Sequence, residues 1–188
     1  MKLNNSKKHN IVIMERITLG AGCFWCVESI FQRIDGVVIV KSGYMGGNPR
    51  RISYEEICKG DTGHAEVVDV MFDPEVVTVE SILRVFFEAH DPTTLNRQGG
   101  DIGTQYRSVI FYSNDIHRLK AQKLIKELDT ANLWENSIVT EITKASEFFA
   151  AEDYHQNYFA LNAEQPYCQL VIKPKIEKFE KVFKKILK

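Results

Sequence analysis

The sequence predicts an α+β fold, a single domain in which helices pack on one mixed or mostly antiparallel sheet as a two-layer sandwich. Segments with strand-like and helical patterns alternate irregularly, with mixed lengths and no internal repeat. No linker-like stretch divides the chain into domains. With 188 residues, of which 44% are hydrophobic, the chain is long enough to bury one core. We expect this core to be ferredoxin-like.

The first half of the chain begins with polar residues 1–10, which predict a lead-in to a domain at 11–188. Runs of apolar and β-branched residues predict strands, and apolar residues spaced by three and four predict helices. The predicted elements are a strand at 11–19, a helix at 22–34, a strand at 37–40, a short helix at 53–58 and a strand at 65–72. The glycine-rich residues 42–49 predict a loop.

The second half contains a long loop, 91–105, of the kind that often has a function in a compact domain. The other predicted elements are a helix at 78–89, a strand at 106–112, a helix at 115–129, a strand at 137–142, a helix at 151–161 and a helix at 175–188. Residues 165–168 are expected to interrupt the helical pattern. The C-terminal segment 162–188 ends in a lysine-rich helix with a narrow apolar stripe, which predicts a solvated helix that docks on the domain.

Charge and composition exclude several classes of function. The formal net charge is −1, which does not favour a nucleic acid or an anionic membrane as a partner. No apolar run is long enough to span a bilayer, and the N-terminal residues lack the apolar core of a secretory signal. Four cysteines in a chain of this length are typical of working thiols rather than of a disulfide scaffold. We therefore expect a cytoplasmic protein.

A cysteine motif, Gly22-Cys23-Phe24-Trp25-Cys26-Val27-Glu28, follows the first predicted strand directly. Small residues end the strand and helical spacing begins at once, which predicts that Cys23 lies in the first turn of a helix after a tight bend. Unpaired backbone N–H groups and the helix dipole stabilise a thiolate at that position. The sequence therefore predicts that Cys23 is a nucleophile.

Three interpretations of the Cys-x-x-Cys pair are open from the residues alone. Cys23 and Cys26 could be small buried core residues, half of a zinc site, or a redox pair. Zinc requires two further ligands, but Cys58 and Cys168 stand apart and the five histidines are scattered, so we expect no metal site. Redox chemistry is favoured, either in an enzyme or in a thioredoxin-like disulfide exchanger. No glycine-rich nucleotide or flavin motif is present.

The motif Gly22-Cys23-Phe24-Trp25 resembles the signature of the methionine sulfoxide reductase A family, which reduces the S epimer of methionine sulfoxide. Further segments resemble the family in the same order, over about residues 16–172. These segments are Tyr54-Glu55-Glu56-Ile57-Cys58, Thr62-Gly63-His64-Ala65-Glu66, His90-Asp91-Pro92-Thr93, Asn96-Arg97-Gln98-Gly99, Asp101-Ile102-Gly103-Thr104-Gln105-Tyr106-Arg107-Ser108, Glu152-Asp153-Tyr154-His155-Gln156 and Tyr167-Cys168.

The resemblance implies a set of site residues, and it agrees with the needs of sulfoxide reduction, which are a thiolate, an acid and donors to an oxygen. Cys23 would be the nucleophile and Glu66 the acid with a raised pKa. The implied substrate contacts are Tyr54 and Tyr106 at the sulfoxide oxygen, Phe24 and Trp25 around the S-methyl group, and Asp101 near the substrate backbone. Without the resemblance, the residues of this set other than Cys23 have ordinary alternative roles in packing, in a turn or at the surface.

A second cysteine must resolve the sulfenic acid that forms on the nucleophile. The resemblance implies Cys168, on a segment expected to be mobile, whereas Cys26 is the alternative, alone or in a relay. It also implies that no cofactor is bound and that thioredoxin is the external reductant. We further expect a monomer, structural roles for His64 and His155, and a buried structural thiol at Cys58.

Overall fold

The computed structural model describes residues 12–188, which form a six-stranded sheet, a small separate hairpin and packed helices. The predicted lead-in, 1–10, lies outside the described residues. The strands are β1 (Glu15–Ala21), β2 (Val37–Met45), β3 (Ala65–Phe72), β4 (Arg97–Gln98), β5 (Asp101–Ile102), β6 (Ser108–Tyr112), β7 (Glu141–Lys144) and β8 (Phe149–Ala150). The helices are α1 (Phe24–Phe31), α2 (Tyr54–Ile57), α3 (Val79–Ala89), α4 (Asp115–Thr130), α5 (Tyr158–Leu161) and α6 (Lys173–Val182).

The main sheet has the strand order β7-β6-β1-β3-β2-β8, and β4 pairs only with β5. Strand β1 is antiparallel to both β3 and β6, and β2 is antiparallel to β3. The units β1-α1-β2 and β3-α3-β6 are therefore two interleaved crossovers, which is the ferredoxin-like arrangement. Strand β7 adds to the edge parallel to β6, so the sheet is mixed. The predicted fold class is confirmed.

The central strand β3 brings different side chains to the two faces of the sheet, because successive strand residues alternate. Glu66, Val68 and Val70 face the layer of helices, whereas Val67 and Asp69 face the opposite side. The main core fills the space between the helices and the sheet. Its largest fully buried aromatic residues include Phe24, Phe31, Phe72, Phe86 and Phe87.

Strand β2 is longer than predicted. It extends to Met45, so the first four residues of the predicted loop, 42–49, belong to the sheet. They pair with β3 on one side, and Gly43 and Tyr44 pair with β8 on the other. Gly43 is required there, because a Cβ atom at this position would lie 2.4 Å from the carbonyl oxygen of Phe149. Pairing with distant strands therefore overrides the local turn signal of the glycines.

Several helices and strands begin or end at residues other than those predicted. The first strand covers Glu15–Ala21 rather than 11–19, and the first helix covers Phe24–Phe31 rather than 22–34. The predicted strand 137–142 is replaced by Glu141–Lys144, the stretch that pairs with β6. The predicted strand 106–112 begins only at Ser108, because residues 104–106 form a 3-10 turn.

The C-terminal third departs most from the prediction. Only Tyr158–Leu161 of the predicted helix 151–161 is α-helical. The expected interruption at 165–168 is instead the start of a helix, which runs from 166 to 182 and includes a π-helical segment at Cys168–Ile172. Proline is compatible with the first helical turn, where its missing N–H group would have no partner. Ile176 and Phe179 of α6 are buried against the core, so this helix docks as predicted but ends at Val182.

Candidate active site

Cys23 occupies the turn between β1 and α1. It is the N-cap residue of α1 and is 9% exposed, one position earlier than the first helical turn that the sequence predicts. Gly22 has φ +84°, and a Cβ atom there would lie 2.6 Å from the side chain of Gln98. Only glycine fits this bend. The tight turn places the Cys23 thiol at the edge of the main sheet where β1 ends.

Cys26 lies beside Cys23, one helical turn later. Its backbone N–H donates to the carbonyl oxygen of Cys23 at 3.1 Å, and the two thiols are within hydrogen-bonding reach. This thiol–thiol hydrogen bond, together with burial, raises the pKa of Cys23 well above its usual value. The same hydrogen bond lowers the pKa of Cys26.

This shift of the Cys23 pKa is opposite in direction to the acidic thiol that the start of a helix predicts. Within the pair, the pKa of Cys23 lies above its usual value and that of Cys26 lies below it, so their hydrogen bond makes Cys26 the easier thiol to ionise.

Glu66 lies under this turn, near the start of β3, and is 2% exposed. The backbone N–H of Phe24 donates to its Oε2 at 3.1 Å. Burial, followed by the charge of Cys23, raises the pKa of this carboxyl group well above its usual value. None of the salt bridges within residues 12–188 includes Glu66. The environment therefore favours the protonated acid.

Tyr54, the first residue of α2, and Tyr106, the last residue of the 3-10 turn 104–106, both lie within electrostatic reach of this carboxyl group. Burial raises the pKa of both phenols, and the charge of Glu66 raises it further. Both hydroxyl groups therefore stay protonated and able to donate. The 3-10 turn 104–106 presents Tyr106, which does not open a strand as the sequence predicts.

Asp101 is brought to the thiol pair by a residue from the C-terminal helix. The hydroxyl group of Tyr167 donates to Asp101 Oδ2 at 3.1 Å and also reaches the thiols of Cys23 and Cys26. Burial raises the pKa of Tyr167, so it remains a donor. The sequence marks Tyr167 only as the neighbour of Cys168 and does not indicate its contact with Asp101.

Trp25 forms an aromatic wall beside the nucleophile. Its ring stacks on Tyr158 with centroids 3.6 Å apart and planes 7° apart, and the ring of Tyr167 meets it edge-on. Its indole N–H donates to Nδ1 of His155 at 3.0 Å. Phe24 lies beneath this wall and is only 1% exposed. Of the two predicted apolar contacts, Trp25 is therefore the one that lines the surface.

The segment 152–156 supports the site through contacts that the sequence did not predict. Glu152 accepts a hydrogen bond from the hydroxyl group of Tyr44 at 3.0 Å and another from the backbone N–H of Tyr54 at 2.9 Å. His155 is buried and holds Trp25, as described above. The only advance signal for this segment was the match of Glu152-Asp153-Tyr154-His155-Gln156 to the family pattern. Hydrogen-bond partners a hundred residues apart leave no local pattern in the sequence.

His64 directly precedes β3, and its ring binds the loop that follows β2. Its Nδ1 accepts from the backbone N–H of Gly47 at 3.2 Å, and its Nε2 lies 3.0 Å from the carbonyl oxygen of Asn48. Both ring nitrogens therefore bind backbone, in agreement with the predicted structural role.

The two remaining cysteines differ from their predicted settings. Cys168 is fully buried in the π-helical segment, whereas the sequence predicts a break in helical structure and a mobile stretch there. Burial and the charge of Cys23 raise the pKa of its thiol, so the two residues are within electrostatic reach. Cys58 was expected to be buried, but it is exposed, because α2 is a single turn that turns Ile57 inward instead. Its thiol contacts the hydroxyl group of Tyr54.

Other features of the described chain can be reported briefly. Within residues 12–188, no group of three or more His, Cys, Asp and Glu side chains has an arrangement that could hold a metal ion. No helix in this part of the chain is long and apolar enough to cross a membrane.

The assembled site combines a thiol pair, a buried acid and two phenol donors beside an aromatic wall. A nucleophilic sulfur next to a protonated carboxyl group can attack an electrophilic atom while the carboxyl group protonates a departing oxygen. The phenols can hold that oxygen, and the second thiol can form a disulfide with the first.

Comparison with known proteins places this site in context. The family model described as peptide methionine sulfoxide reductase matches residues 15–187. The peptide methionine sulfoxide reductase MsrA of Polynucleobacter asymbioticus is 47% identical over 185 residues, which cover 98% of this chain and 97% of the relative.

Two solved structures of Mxr1 from Saccharomyces cerevisiae are also similar. The reduced form has a TM-score of 0.77 and 36% identity, over 87% of this chain and 94% of Mxr1. The complex with Trx2 has a TM-score of 0.53 and 27% identity, over 82% of this chain and 91% of Mxr1.

Proposed function

This chain belongs to the peptide methionine sulfoxide reductase family, and we propose that Cys23 and Glu66 carry out its reaction. The enzyme reduces the S epimer of methionine sulfoxide to methionine, and thioredoxin is its reductant. The observation that carries our assignment is the burial of the Cys23 thiol beside the Glu66 carboxyl group, where burial and the charge of Cys23 raise the pKa of that carboxyl group.

The first step transfers oxygen from the substrate to Cys23. As the sulfoxide binds, the proton of Cys23 passes to Cys26 along their hydrogen bond, and the Cys23 thiolate attacks the sulfoxide sulfur. Glu66 protonates the oxygen, which then moves to the sulfur of Cys23 as the methionine thioether leaves. The substrate sulfur gains two electrons, and Cys23 is oxidised by two electrons to a sulfenic acid.

The second step closes a disulfide and releases water. The thiol of Cys26 attacks the sulfur of the Cys23 sulfenic acid, the S–O bond breaks, and the hydroxyl group leaves with the proton of Cys26 as water. Glu66 remains ionised until solvent returns its proton. Reduced thioredoxin then attacks the disulfide, becomes oxidised and restores both thiols.

Cys26 is the more direct resolving residue, although the family resemblance favours Cys168. The thiol of Cys26 is already in hydrogen-bonding reach of Cys23, and its lowered pKa increases its thiolate fraction. Cys168 is fully buried but within electrostatic reach of Cys23. We therefore assign the first disulfide to Cys23 and Cys26, and a second exchange to Cys168.

The remaining site residues bind and orient the substrate. Tyr54 and Tyr106 donate hydrogen bonds to the sulfoxide oxygen and stabilise the charge that develops on it. Trp25, supported from below by Phe24, packs against the S-methyl group. Asp101, held by Tyr167, orients the substrate near its backbone.

We further propose that residues 11–188 act as one catalytic domain and that the enzyme works in the cytoplasm. Turnover depends on a reduced thioredoxin, and the four cysteines are free thiols. Both features are typical of a protein that works in a reducing compartment.

The test is single-turnover reduction of the separated S and R epimers of methionine sulfoxide, without added reductant. Wild type, Cys26→Ser and Cys168→Ser are compared, with Cys58→Ser as a matched cysteine control. We expect methionine from the S epimer only. In Cys168→Ser, where no second exchange can follow, we expect one methionine per chain and a Cys23–Cys26 disulfide by mass mapping. A Cys23–Cys168 disulfide in the first turnover would reverse the order that we assign. Reduction of neither epimer would favour a disulfide exchanger instead.

A further inference from the structure

Glu28 is a buried carboxyl group that the mechanism above does not use. It ends the cysteine motif, lies on α1 one turn after Trp25, and is 1% exposed. Burying a carboxyl group costs free energy unless hydrogen bonds compensate. The hydrogen bonds of Glu28 therefore show which part of the structure this buried carboxyl group stabilises.

The contacts of Glu28 are with the backbone of the segment that follows His155. The N–H group of Asn157 donates to Glu28 Oε1 at 3.1 Å. Burial raises the pKa of Glu28, and hydrogen bonds from the N–H groups of Asn157 and Tyr158 counter that rise. Asn157 has φ +53°, in the left-handed region, and is the N-cap of α5 without a side-chain cap of its own. Glu28 thus supplies from α1 the acceptor that this helix start lacks.

The residue held in this way is the stacking partner of Trp25. Tyr158 lies face to face with the indole ring at 3.6 Å, and on the other edge the indole N–H binds His155 at 3.0 Å. Gln32, one turn after Glu28, adds a hydrogen bond from its Nε2 to Asn157 Oδ1 at 2.7 Å. Helix α1 therefore carries both Trp25 and the anchors of the residue that packs on it.

We propose that Glu28 is a positioning residue for the substrate pocket, because its carboxylate holds Asn157 and Tyr158 so that Tyr158 fixes the orientation of the Trp25 ring. This inference rests on the proposed contact between Trp25 and the S-methyl group of the substrate. If the indole ring of Trp25 shifts, the thiol pair and Glu66 stay in place, but the aromatic wall packs less tightly against the substrate. The effect should therefore fall on substrate binding more than on the chemical step.

The experiment uses Trp134→Phe as the parent protein, because the chain has two tryptophans and Trp25 is then the only fluorophore of its kind. Glu28→Gln keeps the size of the side chain but replaces one acceptor oxygen by a donor. Glu180→Gln is the matched control, since that carboxylate binds Arg33 and is half-exposed.

For Glu28→Gln we expect KM for a methionine sulfoxide peptide to rise about tenfold, with a smaller change in kcat. The emission of Trp25 should shift to longer wavelength as its stacking loosens, while Glu180→Gln matches the parent protein in both measurements. In a Tyr158→Ala background, Glu28→Gln should have no further effect on KM, because the residue through which it acts is gone.

Unchanged KM and unchanged Trp25 emission in Glu28→Gln would overturn the proposal, and so would additive effects of the Glu28 and Tyr158 substitutions. If Glu28→Gln does not fold, Glu28→Asp, which withdraws the carboxylate by one methylene, gives the same readouts with the same expected direction. If the parent protein itself fails to reduce methionine sulfoxide, the proposed function fails, whereas the emission of Trp25 still tests the role of Glu28.

Discussion

Glu66 and Asp69 are two buried carboxyl groups on one strand, β3, and they face opposite sides of the sheet. Their side chains have similar burial, with 2% and 4% of the residue exposed. Arg16 Nε lies 2.7 Å from both oxygens of Asp69, and the hydroxyl group of Thr18 donates to it at 2.9 Å. Glu66 has one backbone N–H donor, from Phe24, and the Cys23 thiol as its neighbour.

The comparison shows that partners, rather than burial, decide what a buried carboxyl group does. A carboxylate with a bidentate guanidinium keeps its charge at low cost and ties two strands together. A carboxyl group without a cation is more stable when protonated, and it then becomes a proton donor. One strand therefore carries a structural ion pair on one face and a catalytic acid on the other.

Cys23→Ser should have the largest effect, because it removes the nucleophile itself. We expect reduction of methionine S-sulfoxide to fall by more than about 10⁴-fold in assays with thioredoxin. It should also lower the pKa of Glu66, because the charge of Cys23 is the second cause of its rise. The infrared band of the carboxyl group, followed against pH, measures this change. Normal turnover of the variant would refute the central assignment.

Glu66→Gln should reduce the rate of the chemical step by about 10²–10⁴-fold, because an amide cannot supply the proton. A general acid must be protonated, so the single-turnover rate of wild type should fall as the pH rises through the raised pKa of Glu66. The variant should lose this dependence. Asp69→Asn is the matched control, and its pH profile should follow that of wild type. A falling limb that persists in Glu66→Gln would assign the acid elsewhere.

Asp69→Asn should instead lower the free energy of unfolding by about 1–3 kcal/mol, because Arg16 loses its charge partner and Thr18 loses a charged acceptor. The cost is limited because the side chain of Arg16 is 53% exposed and can turn to water. Denaturant unfolding measures the loss. The single-turnover rate should stay within about twofold of wild type, since the site lies on the other face. A large loss of activity at unchanged stability would break the distinction between the two faces.

The smallest expected effect is on the pH dependence of stability. The pKa of Glu66 is higher in the folded than in the unfolded protein, so its ionisation opposes folding. This penalty is absent below the unfolded pKa and grows as the pH rises towards the folded pKa. The difference in Tm between Glu66→Gln and wild type should therefore increase in favour of the variant as the pH rises across this window. Above the folded pKa this difference should stay constant. Glu180→Gln serves as control, and a difference that stays flat with pH would contradict the raised pKa.

Local sequence patterns correctly predicted the helices and strands whose intrinsic propensity agrees with their packing in the fold. The strand at 65–72 and the end of α3 at Ala89 match the structure. Thr78, the first residue of the predicted helix, is its N-cap, and its hydroxyl group accepts from the backbone N–H of Ser81 at 3.2 Å. The helix predicted at 115–129 ends one residue later. In each case the periodicity and the end signals lie within the element itself.

Elements that depend on distant partners were predicted less well. The second half of β2 has glycine and polar residues that suggest a loop, but β3 and β8 pair with it. The stretch 151–157 has helical spacing, yet its polar side chains bind elsewhere. Glu152 binds near Tyr54, and Gln156 binds the backbone of Ser42.

The sequence by itself determined the order of the elements, the fold class, the cysteine motif and the family, because all of these are expressed in residue types and short spacings. Only the tertiary structure decided that Glu66 lacks a cation while Asp69 has one, that Cys26 rather than Cys168 touches the nucleophile, and that Tyr167 meets Asp101. Apart from the contact between Cys23 and Cys26, these contacts join residues that are tens of positions apart, as the 42 positions between Phe24 and Glu66 illustrate. A pKa depends on the charges, donors and water within a few ångströms, and that set exists only in the folded chain.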